Sequence, residues 1–151
     1  MATHLDPPTG RIIGARHYFP MRVYYEDTDL SGIVYHANYL KYCERARSDL
    51  LRVLAVDQRA AVETGEGHYA VADAQIKWRR PAKLDDALVI ETSAADLRAA
   101  SVRMAQTVLR GDDVLAEIAV RVGFVGPDGR PKRQPDAWRQ AFEDFAKEDL
   151  N

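Results

Sequence analysis

Two aspartates and a histidine stand close together in this chain, at a polar segment that precedes an amphipathic one. Asp27 and Asp29 flank a threonine, and His36 follows Asp29 by seven residues. The first turn of a helix offers unpaired backbone N–H groups and partial positive charge, which stabilise negative charge that develops on a carbonyl oxygen. A carboxylate folded back beside that turn can attack an activated acyl group, as a base or as a nucleophile. Asp29 is placed to do so, whereas Asp27 can equally point elsewhere.

The same residues also fit simpler structural roles. In an Asp-Thr-Asp turn the side chains commonly cap nearby backbone N–H groups, and a lone histidine at a helix start commonly caps or packs. Ser31 lacks the context of a nucleophile elbow, so we interpret it as a turn residue. Asp27, Asp29 and His36 match no recognisable metal-ligand motif, and we predict no metal site. From the residues alone, capping is the better-supported interpretation of this loop.

A helix must follow the loop if it is to supply the N–H groups. Over residues 35–54 apolar side chains recur at the spacing of one helical face, so we predict an amphipathic helix there. Cys43 falls on the apolar face and is expected to be a buried packing residue. Arg47 interrupts that face in projection. We favour an ion pair between Arg47 and Glu44, and a contact between Arg47 and a site carboxylate is the alternative.

Strand patterns surround the helix in the sequence. Aromatic and β-branched residues favour a strand over 17–25. Four more strands are predicted after the helix, at 69–79, 87–97, 101–110 and 114–125. Short turns between successive strands imply an antiparallel meander, whose apolar face the long helix would cover. A short helix at 56–64 and a C-terminal helix at 135–147 complete a fold of the α+β class.

Length and composition place further limits on the chain. Its 151 residues suit one compact domain, with residues 1–16 as a loose tail because few large apolar groups occur there. A net charge of −2 argues against a general nucleic-acid binder. The single cysteine excludes an intrachain disulfide and favours a reducing compartment. Neither a secretory signal nor an apolar run of membrane-spanning length is visible, so we expect a cytoplasmic protein.

A long motif in this chain resembles the signature of a known family. It runs Tyr25-Glu26-Asp27-Thr28-Asp29-Leu30-Ser31-Gly32-Ile33-Val34-Tyr35-His36-Ala37-Asn38-Tyr39-Leu40 and continues with Glu44-Arg45-Ala46-Arg47. The resemblance is to the 4-hydroxybenzoyl-CoA thioesterase family of hotdog-fold enzymes, and most of all to its Tol-Pal-associated acyl-CoA thioesterase branch. It implies a hotdog fold, in which a five-stranded antiparallel sheet wraps around one long helix. It also implies paired protomers with active sites at the dimer interface, and often a further pairing of dimers into tetramers.

The resemblance assigns roles to individual residues of the motif. Asp29 matches the catalytic carboxylate of the family, which leaves Asp27 to the structure of the loop. His36 matches a position that assists catalysis or binds substrate, and the backbone N–H near it would polarise the thioester carbonyl. Three further residues of the motif are candidate substrate contacts: Tyr25, Tyr35 and Asn38. Asn38 is also expected to support the start of the helix.

Coenzyme A contains phosphates, so the resemblance predicts a basic surface near the site. A first cluster of basic residues lies at the end of the strand predicted over 69–79: Lys77, Arg79, Arg80 and Lys83. We expect Arg79, Arg80 and Lys83 of this cluster to contact phosphate. A second cluster follows the last strand: Arg130, Lys132 and Arg133. Charged turns are usually solvated surface, and we favour the first cluster over the second.

The combined prediction is an acyl-CoA thioesterase that needs no cofactor. Asp29 would activate water or attack the thioester, and the helix end near His36 would stabilise the oxyanion. The acyl group stays open, as does the choice between coenzyme A and acyl-carrier-protein thioesters. The alternative is a hotdog protein that binds acyl-CoA, acyl-carrier protein or another partner without hydrolysis. A hydratase on the same fold is a third hypothesis, although its usual Asp-His dyad motif is not apparent.

Overall fold

The computed structural model describes residues 3–147. The elements follow one another as β1 (Arg11–Ile13), β2 (Arg16–Arg22), α1 (Asn38–Val53), α2 (Gln58–Glu63), β3 (His68–Trp78), β4 (Ala87–Ala95), β5 (Ser101–Arg110), β6 (Asp113–Val125) and α3 (Asp136–Lys147). A short 3-10 turn, Tyr25–Asp27, lies between β2 and α1. The four strands predicted after the long helix and the two shorter helices are therefore confirmed, close to their predicted ends.

In the described part of the chain, six antiparallel strands form one sheet in the order β1-β2-β4-β5-β6-β3. Alternate side chains of a strand point to opposite faces, and in β5 the inward set is buried: Val102, Met104, Gln106 and Val108. This inward face packs against α1. The hotdog architecture implied by the resemblance is present, with six strands in place of five because β1 joins the edge of the sheet.

The long helix α1 supplies the other half of the core. It begins at Asn38, so residues 35–37 form a turn in place of the helical start that was predicted. Its face toward the sheet is buried: Tyr39, Tyr42, Cys43, Ala46 and Leu50. The predicted burial of Cys43 is confirmed, and burial raises the pKa of its thiol to about 12. A protonated thiol of this kind serves packing and is not a nucleophile.

The N-terminal segment is not the loose tail that was predicted. Residues Arg11–Ile13 pair with β2, and the residues just before them are tied to α1 by the buried carboxylate of Asp49. The Thr9 hydroxyl and the Gly10 N–H each donate to that carboxylate over 2.8 Å. His17 Nε2 donates to it over 2.7 Å, because an ionised carboxylate can only accept. The prediction was wrong because polar contacts anchor this segment, and a scarcity of apolar residues does not exclude them.

Strand β3 forms one edge of the sheet and is largely exposed. It is 11 residues long, and only Tyr69 and Ile76 are half-buried. The side chains of Val71 and Trp78 are 51% and 50% exposed, which is unusual for large apolar groups in a strand. An edge strand presents unpaired N–H and C=O groups that can pair with another chain.

The C-terminal helix α3 covers the core near the first residues of β3. Phe142 and Phe145 are buried, and Trp138 packs edge-on against Phe124 with 5.6 Å between ring centroids. Spaced by four and three residues, these three aromatic side chains lie on one side of the helix. Within residues 3–147, no helix has both the length and the apolar content that crossing a bilayer requires.

Candidate active site

The loop before α1 is a tight hairpin with Asp29 at its tip. The Asp29 N–H donates to the Ile33 carbonyl over 2.9 Å, and the Gly32 N–H donates to the Asp29 carbonyl over 3.0 Å. Gly32 has a φ of +82°, a left-handed conformation that a residue with a side chain adopts at a cost. A type I turn closed by a left-handed glycine is a common three-residue hairpin. The local sequence therefore holds the backbone of Asp29 in a defined place.

Asp27 lies at the base of the same loop and is buried. Its Oδ2 accepts the Tyr24 N–H over 2.8 Å. Its carbonyl accepts the Tyr35 N–H over 2.9 Å and the Asn38 side-chain amide over 2.8 Å. These bonds join the 3-10 turn to the start of α1, so the expected structural roles of Asp27 and Asn38 agree with the contacts they make.

Asp29 differs from Asp27 because its side chain is exposed. Its Oδ1 accepts the N–H and the hydroxyl of Ser31, the former over 2.8 Å. These bonds, with a smaller contribution from His36, hold the pKa of Asp29 below its ordinary value. Oδ2 has no hydrogen-bond partner among residues 3–147. The carboxylate thus caps its own turn with one oxygen and leaves the other available.

His36 lies just ahead of α1, and its ring is exposed between two aromatic residues. The ring centroid is 4.5 Å from that of Tyr35 and 5.7 Å from that of Trp78. Trp78 Nε1 also donates to the His36 carbonyl over 3.1 Å. No motif in the sequence singles out Trp78. Its position at the end of a strand was visible, but its contact with His36 spans 42 residues and has no local signal.

The backbone near His36 has donors to offer. The N–H groups of Asn38 and Leu40 donate to the carbonyls of Tyr35 and Ala37. The N–H groups of His36 and Ala37 have no acceptor within the described residues. These two groups precede a helix N-terminus, where the partial positive charge of the helix favours an anion.

Two of the candidate substrate contacts lie beside this loop and are open to solvent. Tyr25 is 83% exposed and Tyr35 is 46% exposed. Leu30, at the hairpin tip, is fully exposed as well. Exposed apolar side chains of this size, grouped around one loop, are typical of a surface that a partner or a ligand covers.

Two of the three predicted phosphate contacts are engaged in ion pairs within the chain. Arg79 forms an ion pair with Glu117 over 2.7 Å, and Arg80 forms one with Asp113 over 3.2 Å. Both acids belong to β6, the neighbour of β3. The two ion pairs therefore hold these arginines against the sheet. Lys83 instead lies beside the active-site loop, because its segment pairs with that of Ile33. Lys83 is thus the member of this cluster whose backbone pairs with the hairpin that contains Asp29.

Arg47 is half-buried, and its contacts differ from the favoured prediction. Its Nη1 donates to Gln106 Oε1 over 2.8 Å, and no carboxylate within residues 3–147 lies close enough for an ion pair with it. The predicted pair with Glu44 is therefore wrong, and within one copy of the chain Arg47 does not contact the carboxylate of Asp29 either. Gln106 lies 59 residues away on β5, beyond the reach of a helical-spacing argument.

Comparisons with known proteins cover most of the chain. Residues 23–143 match the model of the thioesterase-like superfamily. The acyl-CoA thioesterase YbgC of Haemophilus influenzae is 40% identical over 107 residues, which make up 71% of this chain and 79% of that protein. The family match over residues 23–143 includes the whole hairpin, α1 and the strands β3 to β6.

Solved structures agree with the sequence matches. A probable thioesterase from Bartonella henselae is 36% identical, covers 80% of this chain and 99% of its own, and superposes with a TM-score of 0.75. A 1,4-dihydroxy-2-naphthoyl-CoA thioesterase from Synechocystis has a TM-score of 0.80 over 85% of this chain and 96% of its own, and at 20% identity it supports the fold alone. This chain therefore belongs to the thioesterase-like superfamily, in the branch of the YbgC acyl-CoA thioesterases.

Proposed function

We propose that this chain hydrolyses acyl-CoA thioesters, with Asp29 as the carboxylate that activates water or attacks the thioester carbonyl. One observation supports this assignment above the others. Asp29 stands exposed at the tip of a well-ordered hairpin, inside the family motif, with one oxygen available. Its lowered pKa keeps the group ionised at neutral pH, which both roles require.

The developing oxyanion is proposed to bind at the N–H groups of His36 and Ala37. Both groups lack an acceptor within the described residues, and both precede the positive end of α1. The His36 ring, held beside Tyr35 and Trp78, is proposed to orient or bind the thioester. Tyr25, Tyr35 and Asn38 remain proposed substrate contacts.

The working unit is proposed to be a homodimer joined along β3, with a tetramer as the larger assembly. Within residues 3–147 no strand pairs with the outer edge of β3, and Val71 and Trp78 on it are half exposed. Antiparallel pairing of two β3 edges would cover this surface. Light scattering tests the assembly: twice or four times the protomer mass of 17.0 kDa is expected, and a monomer at assay concentration contradicts it.

Coenzyme A is the proposed carrier of the acyl group, and an acyl-carrier protein is the alternative carrier. Lys83 is the proposed phosphate contact because it lies beside the active-site hairpin. Arg79 and Arg80 would have to leave Glu117 and Asp113 to contribute. The whole chain is proposed to act as one domain in the cytoplasm, where a single reduced cysteine is expected.

A thiol-release assay tests the function directly. Wild-type protein is mixed with short, long and aromatic acyl-CoA substrates, and free thiol is followed over many turnovers. Continuous release that depends on Asp29 supports the proposal. Saturable binding of the same substrates without release supports the non-hydrolytic alternative and overturns it.

A further inference from the structure

A cavity of about 230 Å³ lies between α1 and the inner face of the sheet, beside β3. Its apolar wall consists of Leu51, Tyr69, Val71, Met104 and Val122. The polar groups that line it come from the helices, and consist of Glu44, Arg47 and Ser48 on α1 and Gln58 at the start of α2. An apolar cavity with a few polar groups at one end is the usual form of a small-molecule site.

The guanidinium of Arg47 is the unusual feature of this lining. Its one bond within the described residues is from Nη1 to Gln106 Oε1, over 2.8 Å. Gln106 cannot turn away, because its Nε2 donates to the Cys43 carbonyl over 2.9 Å and to Thr92 Oγ1 over 3.1 Å. Most of the guanidinium N–H donors therefore have no acceptor among the described residues. The bond to Gln106 orients the group at the wall of the cavity.

No carboxylate within residues 3–147 forms an ion pair with Arg47, and Glu44 favours its charged form only from a longer distance. Burial lowers the pKa of Arg47, although an arginine still stays protonated in water. Glu44 lines the rim of the same cavity but is exposed to solvent and forms no ion pair with Arg47. A half-buried cation without a carboxylate partner is costly for the folded chain, and it favours an anionic ligand.

The cavity lies toward the end of β3 that is remote from His36. Trp78 contacts His36 at one end of the strand, and Val71 lines the cavity about 23 Å away along the strand. Antiparallel pairing of two β3 edges would bring the Val71 end of one copy opposite the Trp78 end of the other. In the proposed dimer, the cavity of one copy therefore faces the Asp29 hairpin of the second copy.

We propose that Arg47 is a specificity residue that binds a carboxylate at the far end of the acyl group, so that the site prefers CoA thioesters of short dicarboxylic acids. The inference rests on the proposed thioesterase function. Apolar walls suit the methylene groups of such a substrate, and a guanidinium binds a carboxylate through paired hydrogen bonds. A cavity of 150 Å³ admits benzene, so this one has room for about six to eight non-hydrogen atoms of an acyl chain.

Matched substrates test the preference. Adipoyl-CoA and hexanoyl-CoA have the same chain length, and only adipoyl-CoA ends in a carboxylate. Wild-type protein is expected to hydrolyse adipoyl-CoA with a kcat/KM at least ~10-fold higher. Arg47→Met should lose about 10- to 100-fold on adipoyl-CoA and stay within about 3-fold on hexanoyl-CoA, and Arg47→Lys should lose less. Arg45→Met, which removes an exposed arginine of the same helix, is the control and should change neither.

A purely structural role of Arg47 gives a different result. If the residue only supports Gln106, Arg47→Met lowers the kcat/KM of both substrates in parallel and lowers the melting temperature. Equal wild-type rates on the two substrates likewise overturn the inference, even if every variant fails to fold. In either case hydrolysis by the wild type leaves the proposed thioesterase function standing.

Binding without turnover separates the two proposals. S-(5-carboxypentyl)-CoA and S-hexyl-CoA are thioethers that cannot be hydrolysed, and calorimetry measures their affinities for the wild-type protein. Tighter binding of the carboxylated thioether by ~10-fold or more, lost in Arg47→Met, supports the inference even if no thioester is turned over. Equal affinities contradict it whether or not the protein is an active thioesterase.

Discussion

The chain contains two aspartate–histidine pairs in opposite surroundings. Asp49 and His17 are buried and bonded to each other over 2.7 Å, and Asp49 also accepts from Thr9 and Gly10. Asp29 and His36 are exposed, make no hydrogen bond to each other, and leave one carboxylate oxygen free. The buried pair is the more conspicuous of the two in the folded structure, yet both oxygens of its carboxylate already accept hydrogen bonds and are shielded from solvent.

This difference separates a structural from a chemical use of the same residue types. Burial disfavours the charged form of Asp49, but hydrogen bonds from Gly10, Thr9 and His17 outweigh it and hold the pKa of the carboxyl below its ordinary value. The pKa of Asp29 is also lowered, by Ser31, at a site open to solvent. A shifted pKa therefore does not distinguish the two sites, whereas access and unused hydrogen-bonding capacity do.

Replacing the exposed carboxylate should have the largest effect on activity. Asp29→Asn keeps the shape of the side chain but cannot act as a base or a nucleophile, so kcat/KM should fall by about 100- to 10,000-fold. The melting temperature should stay that of the wild type because the side chain is exposed. Glu26→Gln, at another exposed acid before the hairpin, is the matched control. A folded Asp29→Asn protein with full activity would remove Asp29 from the mechanism.

Replacing the buried carboxylate should do the reverse. Asp49→Asn leaves three donors with a poorer acceptor and should lower the free energy of unfolding by about 3 kcal/mol, measured by urea denaturation. The folded fraction should keep the kcat of the wild type, since Asp49 lies in the C-terminal half of α1 and the hairpin precedes the N-terminal end of that helix. Equal stability of the two proteins would show that the network contributes nothing.

The difference in stability between the wild type and Asp49→Asn should also depend on pH. The folded-state pKa of Asp49 is lowered, so its contribution to stability is present above the ordinary aspartate pKa and is lost as the pH falls through the folded value. The stability difference between wild type and Asp49→Asn should therefore shrink in acid. Urea denaturation at a series of pH values measures it, and a difference that grows in acid contradicts the assigned sign.

A smaller loss of stability is expected where the N-terminal segment approaches α1. A Cβ added at Gly10 would lie 2.3 Å from the Tyr18 carbonyl oxygen and 3.0 Å from Asp49 Oδ2. Gly10→Ala should cost about 1–3 kcal/mol of unfolding free energy, with little change in kcat. In Gly123→Ala the nearest atom to the new Cβ is 3.9 Å away, which makes it the control. A Gly10→Ala protein as stable as that control would show that the segment is only loosely attached.

The smallest expected effect concerns the turn that holds Asp29. Ser31→Ala removes the hydroxyl bond that does most to lower the pKa of Asp29, so that pKa should rise. The proposed mechanism requires the ionised carboxylate, so the acid limb of the pH–rate profile should move to higher pH. Ser93→Ala, remote from the loop on β4, should leave the profile in place. A shift to lower pH would contradict the assignment of that limb to Asp29.

Local sequence patterns were enough to predict most of the secondary-structure elements. The alternation in β5, the helical spacing in α1 and the turn residues around Gly32 are properties of neighbouring residues, and each predicted its element. Strand β1 was missed because it has only three residues and no apolar alternation. Its place in the sheet depends on pairing with β2 and on the contacts of Thr9 and Gly10 with Asp49.

By itself the sequence predicted the helix and sheet pattern and contained the family motif, because these depend on residue types at short spacing, and the resemblance carried by that motif singled out Asp29 as the candidate carboxylate. Only the tertiary structure decided the partners of three other side chains. Thr9 meets Asp49 across 40 residues, Trp78 meets His36 across 42, and Arg47 meets Gln106 across 59. Such contacts depend on strand register and on the rotation of α1 over the sheet. Neither leaves a local pattern, because both are set by the packing of the whole core.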